Sequence, residues 1–269
     1  MAQTAVQEKK QTAPAIMADL EAHAGAGMDQ ISTDQMQIPF LRVAQQMSRA
    51  LNKQEPDYIK GMSAGDIFNN VTSEYWDSDE GVVVLPVGFS VKYLEYKPKL
   101  PDGTGGGFIR ELQASDPDIA KTTREGATEI LPNGNELVRS NQHLVMLVNE
   151  ENGTTQPVII DFKKTGIKVS KRWNTMMKMV QYQGAKGPFN APMWATVWRL
   201  KSAQESNNLG SWFNFIMERM EPTEIPGAAL EASKEMFAKF QSGEVKTQVV
   251  PTEEMEVANA SPESDDIPF

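Results

Sequence analysis

Apolar residues occupy alternate positions through most of residues 82–96, which is the pattern of a long β-strand with a buried face. That face carries Val83, Leu85, Val87, Phe89, Val91 and Tyr93. Two pairs of shorter β-rich runs follow, and each pair flanks a turn sequence containing Asn and Gly, which predicts two β-hairpins. The first hairpin joins residues 144–149 to 157–163, and the second joins residues 194–203 to 211–220.

Helical spacing of apolar residues occurs in three places. The clearest is a helix that begins near Ser170, a suitable N-cap, and has an apolar face and a polar face. The apolar face carries Trp173, Met176, Met177 and Val180, and the polar face carries Lys171, Asn174, Thr175, Lys178 and Tyr182. Residues 38–51, entered through Pro39, and residues 230–240 are predicted to form two further short helices.

The predicted order of elements is strand, hairpin, helix, hairpin, in a mainly β protein with helices. A five-stranded Greek-key barrel of the OB type, with a helix between its third and fourth strands, has this order, and OB folds are a platform for oligonucleotides. A β-sandwich with one packed helix gives a similar order. The sequence therefore favours an OB-like barrel and leaves the sandwich open.

Composition divides the chain into four segments. Residues 1–30 are rich in Ala, Gln and Gly without a sustained period, and we expect a flexible arm. Residues 31–220 contain the OB-like domain with an N-terminal helical extension, and residues 221–243 contain the short C-terminal helix. Residues 244–269 are acidic and poor in aromatic residues, as expected of a disordered tail.

The sequence contains no run of apolar residues long enough to span a membrane, and its first residues lack the apolar segment of a signal peptide. The chain has no cysteine, which excludes disulfides and cysteine-based zinc sites and fits a reducing compartment. We therefore expect a cytoplasmic protein that does not contact a membrane.

Charge is distributed unevenly along the chain. Residues 221–269 contain 11 acidic and 3 basic residues, so only −2 of the total charge of −10 belongs to residues 1–220. Residues 163–201 contain nine basic residues and no acidic one, a pattern typical of phosphate binding, although a solvated basic face gives the same pattern. The nine are Lys163, Lys164, Lys168, Lys171, Arg172, Lys178, Lys186, Arg199 and Lys201.

Aromatic residues interleave with these bases, which suits single-stranded DNA because unpaired bases stack on rings while cations follow the backbone. Trp212 and Tyr182 are expected to be the more exposed rings. Trp194 and Trp198 share a face of the predicted strand and fit the core as well as a stacking surface. Trp173 lies on the apolar side of its helix and is assigned to the core.

Residues suited to catalysis are few. The two histidines, His23 and His143, are far apart in the sequence, and no phosphate-binding loop with a Lys-Ser/Thr pair is present. Glu244-Val-Lys246, together with Asp161, has the spacing of an acid-x-lysine element found in some metal-dependent nucleases, but that element requires an ordered strand. The sequence therefore predicts a binding protein that is not an enzyme and has no metal site or other cofactor.

The chain ends in Asp265, Asp266, Ile267, Pro268 and Phe269. This ending resembles the C-terminal tip of bacterial single-stranded DNA-binding proteins, on which replication, recombination and repair enzymes dock. The resemblance implies that the Phe269 ring enters an apolar pocket of a partner protein while its carboxylate meets a cationic or backbone site. The two aspartates would steer the tip toward a basic rim.

Two stretches of the body carry a second resemblance. They are residues 38–48, Ile-Pro-Phe-Leu-Arg-Val-Ala-Gln-Gln-Met-Ser, and residues 64–69, Ala-Gly-Asp-Ile-Phe-Asn. They resemble single-stranded DNA-binding and related replication proteins of tailed bacteriophages. This implies a phage-encoded protein that coats unwound DNA in the bacterial host cytoplasm. A recombination mediator or annealing protein, an RNA-binding regulator and a nuclease stay open as alternatives, as does assembly into a homo-oligomer.

Overall fold

The computed structural model describes residues 13–31, 36–98, 106–126, 128–208 and 210–248. The chain divides into two units, Met1–Gln37 and Ile38–Phe269. The first unit contains the helix α1, Ala13–Ala22, and a 3-10 turn at Met28–Gln30.

The second unit is mainly β. Its strands are β1 (Leu41–Val43), β2 (Ile67–Asn69), β3 (Tyr75–Trp76), β4 (Val82–Tyr96), β5 (Phe108–Leu112), β6 (Thr123–Glu125), β7 (Thr128–Ile130), β8 (Glu136–Val148), β9 (Thr155–Lys163), β10 (Gln181–Gly184), β11 (Gly187–Asn190), β12 (Val197–Asn207) and β13 (Gly210–Met220). Its α-helices are α2 (Gly166–Met179) and α3 (Gly227–Ser242). Within the described ranges, each helix is too short or too polar to cross a membrane.

Strand β4 is the centre of the main sheet. One edge of β4 pairs with β8 over almost its whole length, and the other edge pairs with β12 near its start and with β5 near its end. Strand β9 continues the sheet beyond β8, and β13 continues it beyond β12. The strand order across the centre is therefore β13-β12-β4-β8-β9, and every neighbouring pair is antiparallel. The predicted long strand and both predicted hairpins are confirmed.

Both faces of this sheet are buried. On one face, Trp173 and Met177 of α2 join a core with residues of β4, β8, β9 and β12. On the other face, α3 covers a second core that includes Val83 and Leu85. Gly88 allows α3 to approach closely, because a Cβ at this position would lie 2.8 Å from ring atoms of Phe240.

The described strands do not close into a barrel, because residues 39–45 lie between the outer strands β9 and β13. The N–H of Ile159 on β9 donates to the carbonyl oxygen of Pro39 at 2.8 Å. The side chain of Gln45 accepts from the N–H of Phe213 on β13 and donates to its carbonyl oxygen, at 2.9 Å in each case. The mainly β class and the relative order of the long strand, α2 and the two predicted hairpins are therefore confirmed, but the β10–β11 hairpin between α2 and β12 was not predicted. A closed five-stranded barrel is not observed in the described residues.

Two predicted helix positions are wrong. Residues 38–51 do not form an α-helix, because Leu41–Val43 pairs with β2 as a strand and only Arg49–Leu51 forms a 3-10 turn. Helix α2 begins at Gly166 and not at Ser170, whose hydroxyl is buried inside the helix interface. The predicted C-terminal helix is confirmed as α3, with bounds a few residues wider on each side.

Candidate nucleic-acid interface

Helix α2 is held on the main sheet by apolar and polar contacts. Trp173 is fully buried, and its ring stacks on that of His143 on β8 with 4.6 Å between the centroids. The hydroxyl of Ser170 lies 2.9 Å from Nε2 of His143 and accepts a hydrogen bond from Nδ2 of Asn141 at 3.1 Å. These contacts fix which side of the helix faces solvent.

The solvent side of α2 is cationic. It contains no acidic residue, and its exposed bases are Lys168, Lys171, Arg172 and Lys178. Lys164 extends this surface from the turn between β9 and α2 and adopts a φ of 45°, a left-handed conformation that is uncommon for a residue with a side chain. Such conformations are enriched at functional sites, where the surrounding structure holds them in place.

Four of the nine bases are paired with acidic residues that lie outside their own stretch of sequence. Asp161 precedes Lys163 by two residues on β9, and the fold brings the other three acids close; the nitrogen to oxygen distances are 2.7–3.2 Å. The pairs are Lys163 with Asp161, Lys168 with Glu205, Arg199 with Glu150 and Lys201 with Glu218. The stretch is therefore free of acids in the sequence but partly neutralised in the fold.

The other five bases form no ion pair with any acid in the part of the chain that the structure describes, and all five are exposed. They are Lys164, Lys171, Arg172, Lys178 and Lys186. Four belong to α2 and the turn before it, and Lys186 belongs to the turn of the β10–β11 hairpin. We call these five residues the free cation group.

Lys163 differs from this group. Its burial lowers its pKa, but the Asp161 carboxylate 2.8 Å from its Nζ outweighs burial and holds the pKa above the ordinary value for lysine. The same carboxylate also accepts a hydrogen bond from the hydroxyl of Ser140. Lys163 is therefore charged but already neutralised, which makes it a weaker phosphate ligand than the neighbouring Lys164.

A groove of about 380 Å³ lies between α2 and β13. Its apolar lining includes Met176 and Phe215, and its cations are Lys168 and Arg172. Glu205 also lines the groove and accepts from Lys168 at 3.2 Å. The groove thus combines apolar surface with cations, and Glu205 offsets the charge of one of them.

The tryptophans predicted to stack on bases differ in exposure. Trp198 is 1 % exposed and belongs to the core, which removes it from the surface available to DNA. Trp194 lies in a 3-10 turn before β12, is half-buried against the α3 core and has Lys234 Nζ 5.8 Å from its ring centroid. Trp212 is half-buried on β13 and donates from Nε1 to Glu205 at 3.1 Å. Trp173 is in the core, as predicted.

Tyr182 is half-buried and held in place, in contrast to the exposed ring expected from the sequence. Its hydroxyl donates to the carbonyl oxygen of Ala195 at 2.9 Å, and burial raises its pKa above the ordinary value.

Phe189, the cross-strand partner of Tyr182, is 48 % exposed. It was not predicted as a site residue, because residues 184–192 contain enough Gly and Pro to resemble a break between elements. The signal that could have found β10–β11 is the pair of glycines flanking Ala185 and Lys186.

The groups named as candidates for catalysis do not come together. His143 is fully buried among rings, and burial lowers its pKa from 6.5 to about 3, so it is a neutral core residue. Glu244 and Lys246 follow α3 in a segment that is not a strand. Among the described residues, no group of three or more metal-ligating side chains is found.

The acidic tip, residues 265–269, lies outside the described residues. The last described residue is Gln248, and the described residues at this end are attached to the main sheet. The hydroxyls of Thr247 and Ser90 lie 2.6 Å apart, and Nε2 of Gln142 donates to the carbonyl oxygen of Gln248 at 3.2 Å.

Comparison with protein-family models gives a match over most of the chain. The family model described as Pam3 phage gp34-like protein matches residues 6–246. No curated protein and no solved structure matches the chain. The matched range contains every described strand, α2 with its cationic face, and α3. Because the match covers most of its length, the chain belongs to the Pam3 phage gp34-like protein family.

Proposed function

We propose that this protein binds single-stranded DNA through the solvent side of α2 and the turn before it. The observation that carries the proposal is the free cation group, five exposed bases without an ion pair to a described acid. Each cation that meets a phosphate releases a counterion, and this release supplies most of the affinity of non-specific binding.

The strand order supports an OB-like arrangement for the same domain. Counting only β4, β8, β9, β12 and β13, the order is 5-4-1-2-3 with α2 between the third and fourth strands. An OB barrel has this order and closes through its third and fifth strands, which here are separated by residues 39–45. Fold likeness raises the expectation of oligonucleotide binding, but the charges on α2 are the stronger argument because function belongs to sites.

The groove beside α2 supports a preference for unpaired strands. Its apolar lining can accept a nucleobase face, whereas paired bases in a duplex keep their faces stacked inside the helix. Trp212 contacts the groove residue Glu205, because its Nε1 donates a hydrogen bond to that carboxylate at 3.1 Å. Binding a nucleobase and its phosphates at this groove requires no catalytic group, so we propose a binding protein and not an enzyme.

The proposal is tested by fluorescence anisotropy with a labelled oligonucleotide of thymidines, a duplex of the same length and an RNA of the same length. We expect the single-stranded DNA to bind most tightly. Equal or tighter binding of the duplex would contradict the proposal, and tighter binding of the RNA would favour an RNA-binding regulator. A large increase in particle size on DNA binding would favour an annealing protein or recombination mediator.

The setting we propose is phage DNA replication and recombination in the cytoplasm of a bacterial host. In this account the acidic end of the chain, including Asp265, Asp266, Ile267, Pro268 and Phe269, recruits replication or repair enzymes. Phe269→Ala keeps every charge and should abolish binding to such an enzyme while leaving DNA binding unchanged. Full-strength binding of the partner to that variant would show that the terminal ring is not the anchor.

A further inference from the structure

The β10–β11 hairpin stands apart from the main sheet. Its two strands pair with each other and with no other described strand, and their register places Tyr182 opposite Phe189. The hairpin follows α2 directly, since β10 begins two residues after the helix ends at Met179. Its turn contributes Lys186, the one member of the free cation group that lies outside α2 and the turn before it.

Phe189 is supported on one side and open on another. Its ring lies over Gly184, where an added Cβ would be 3.2 Å from ring atoms Cδ1 and Cε1. The ring edge meets Tyr182 at a centroid distance of 6.2 Å and an interplanar angle of 66°. Nevertheless 48 % of Phe189 is exposed, so a large part of the ring is available for contact with another molecule.

The ring of Tyr182, which Phe189 contacts, is itself held in place by two contacts. The hydrogen bond from Tyr182 to Ala195 holds its hydroxyl, and the guanidinium of Arg219 lies 5.6 Å from its ring centroid. Because Tyr182 and the backbone of Gly184 are both held, Phe189 loses little freedom when another molecule stacks on it.

The charges near the hairpin are mainly cationic and favour an anionic ligand. Glu221 lies near the Tyr182 ring but is paired with Arg219 at 3.1 Å. No acidic residue occurs in residues 162–204, which include all of α2 and the hairpin. Lys186 lies in the hairpin turn and Lys178 lies in the last turn of α2, and both belong to the free cation group. The hairpin also exposes the amide side chains of Gln181 and Gln183, which can donate to or accept from base edges.

We infer that Phe189 is a base-stacking residue, on which an unpaired nucleobase of single-stranded DNA lies while Lys178 and Lys186 meet the adjacent phosphates. The inference rests on the proposed function and adds the place where a base is held. If Phe189 served only to support the hairpin as the cross-strand partner of Tyr182, it would not need an exposed aromatic face. The inference gives that exposed face a role.

The test compares two oligonucleotides of equal length, one of thymidines and one in which abasic residues replace the central nucleotides. Anisotropy titrations use the full-length protein and its variants Phe189→Ala, Phe189→Leu and Phe189→Trp. We expect Phe189→Ala to weaken binding of the thymidine strand by roughly 5- to 150-fold, the range found for one stacked base. Binding of the abasic strand should change less than about twofold, because it depends on phosphates alone.

Phe189→Leu separates stacking from support of the hairpin. Leucine still covers Gly184 but has no aromatic face, so its binding should resemble that of Phe189→Ala, while Phe189→Trp should bind like the wild type. Two results would overturn this inference without affecting the proposed function. One is that the wild type binds both strands equally tightly, and the other is that Phe189→Leu binds the thymidine strand as tightly as the wild type. A wild-type protein that binds neither strand overturns the proposed function and this inference with it.

Discussion

Nζ of Lys168 on α2 lies 3.2 Å from Oε2 of Glu205 on β12, so an acidic residue stands inside a surface that we assign to phosphates. Glu205 also accepts hydrogen bonds from Trp212 and Asn214, which fix its carboxylate beside the groove. A phosphate that approaches Lys168 must therefore compete with a carboxylate already in place.

Replacing Glu205 by Gln should strengthen binding of single-stranded DNA. The glutamine amide keeps an oxygen that can accept the hydrogen bond from Trp212 but removes the negative charge. Exposed ion pairs such as Lys168–Glu205 contribute about 0.2–1 kcal/mol. We therefore expect roughly 1.4- to 5-fold tighter binding of single-stranded DNA at low salt. Glu235→Gln on α3 is the matched control, since it changes the net charge equally on the helix that covers the other face of the sheet. Equal effects of both variants would show that only net charge matters.

Tryptophan fluorescence should report DNA binding mainly through Trp212. Trp173 and Trp198 are fully buried and cannot meet a base in the folded protein. Saturating oligonucleotide should quench the fluorescence of the wild type, and Trp212→Phe should remove most of this quenching. Quenching that persists at full size in Trp212→Phe would assign it to one of the other half-buried tryptophans, Trp76 or Trp194, or to an indirect effect.

Much of the sheet could be predicted because strand periodicity is a local property. The alternation in residues 82–96 and the turn sequences of both hairpins are visible without any tertiary contact. The helix predicted for residues 38–51 was wrong because the structure of this segment depends on contacts with distant residues. The apolar spacing of the segment fits a helix, but Phe40 and Leu41 are buried in the cores of the sheet and Gln45 pairs with Phe213, contacts that bring together distant parts of the chain.

The candidate site was predicted less well because charge pairing depends on the fold. Glu218 reaches Lys201 only because β12 and β13 pair. Glu205 reaches Lys168 only because α2 packs beside the β12–β13 hairpin. The sequence located the basic stretch but did not separate its paired members from its free ones. The exposed ring of Phe189 was missed because its short hairpin contains Gly and Pro at positions typical of a break.

Acid should destabilise the protein through His143. Its pKa is about 3 in the folded state against 6.5 for an ordinary histidine, so between these values the unfolded state binds one more proton and stability falls as pH falls. From pH 7 to pH 5 this group should remove about 2 kcal/mol of unfolding free energy. Urea unfolding at both pH values measures the loss.

The matched variants are His143→Phe and His23→Gln, which replace the two histidines of the chain one at a time. We expect the pH dependence between pH 7 and pH 5 to disappear largely in His143→Phe, because no proton can be taken up at that position. It should remain in His23→Gln. A wild-type stability that is flat over this range would contradict the assignment of His143 as a buried neutral residue.

The salt dependence of binding tests the central claim, that the free cation group holds the DNA backbone. Contact with about four to six phosphates of a single strand predicts a slope of log K against log salt of roughly −3 to −4. Lys171→Ala combined with Lys178→Ala removes two members of the group and should flatten the slope by about 1.4. Arg199→Gln combined with Lys201→Gln is the control, because both residues are already paired with acids.

The decisive measurement is therefore the difference between the slopes of these two double variants, determined on the same thymidine oligonucleotide by anisotropy. The account predicts a flatter slope for Lys171→Ala/Lys178→Ala and a slope close to that of the wild type for Arg199→Gln/Lys201→Gln. Equal slopes in the wild type and Lys171→Ala/Lys178→Ala would place the phosphates elsewhere and contradict the assignment of α2 as the DNA-binding surface.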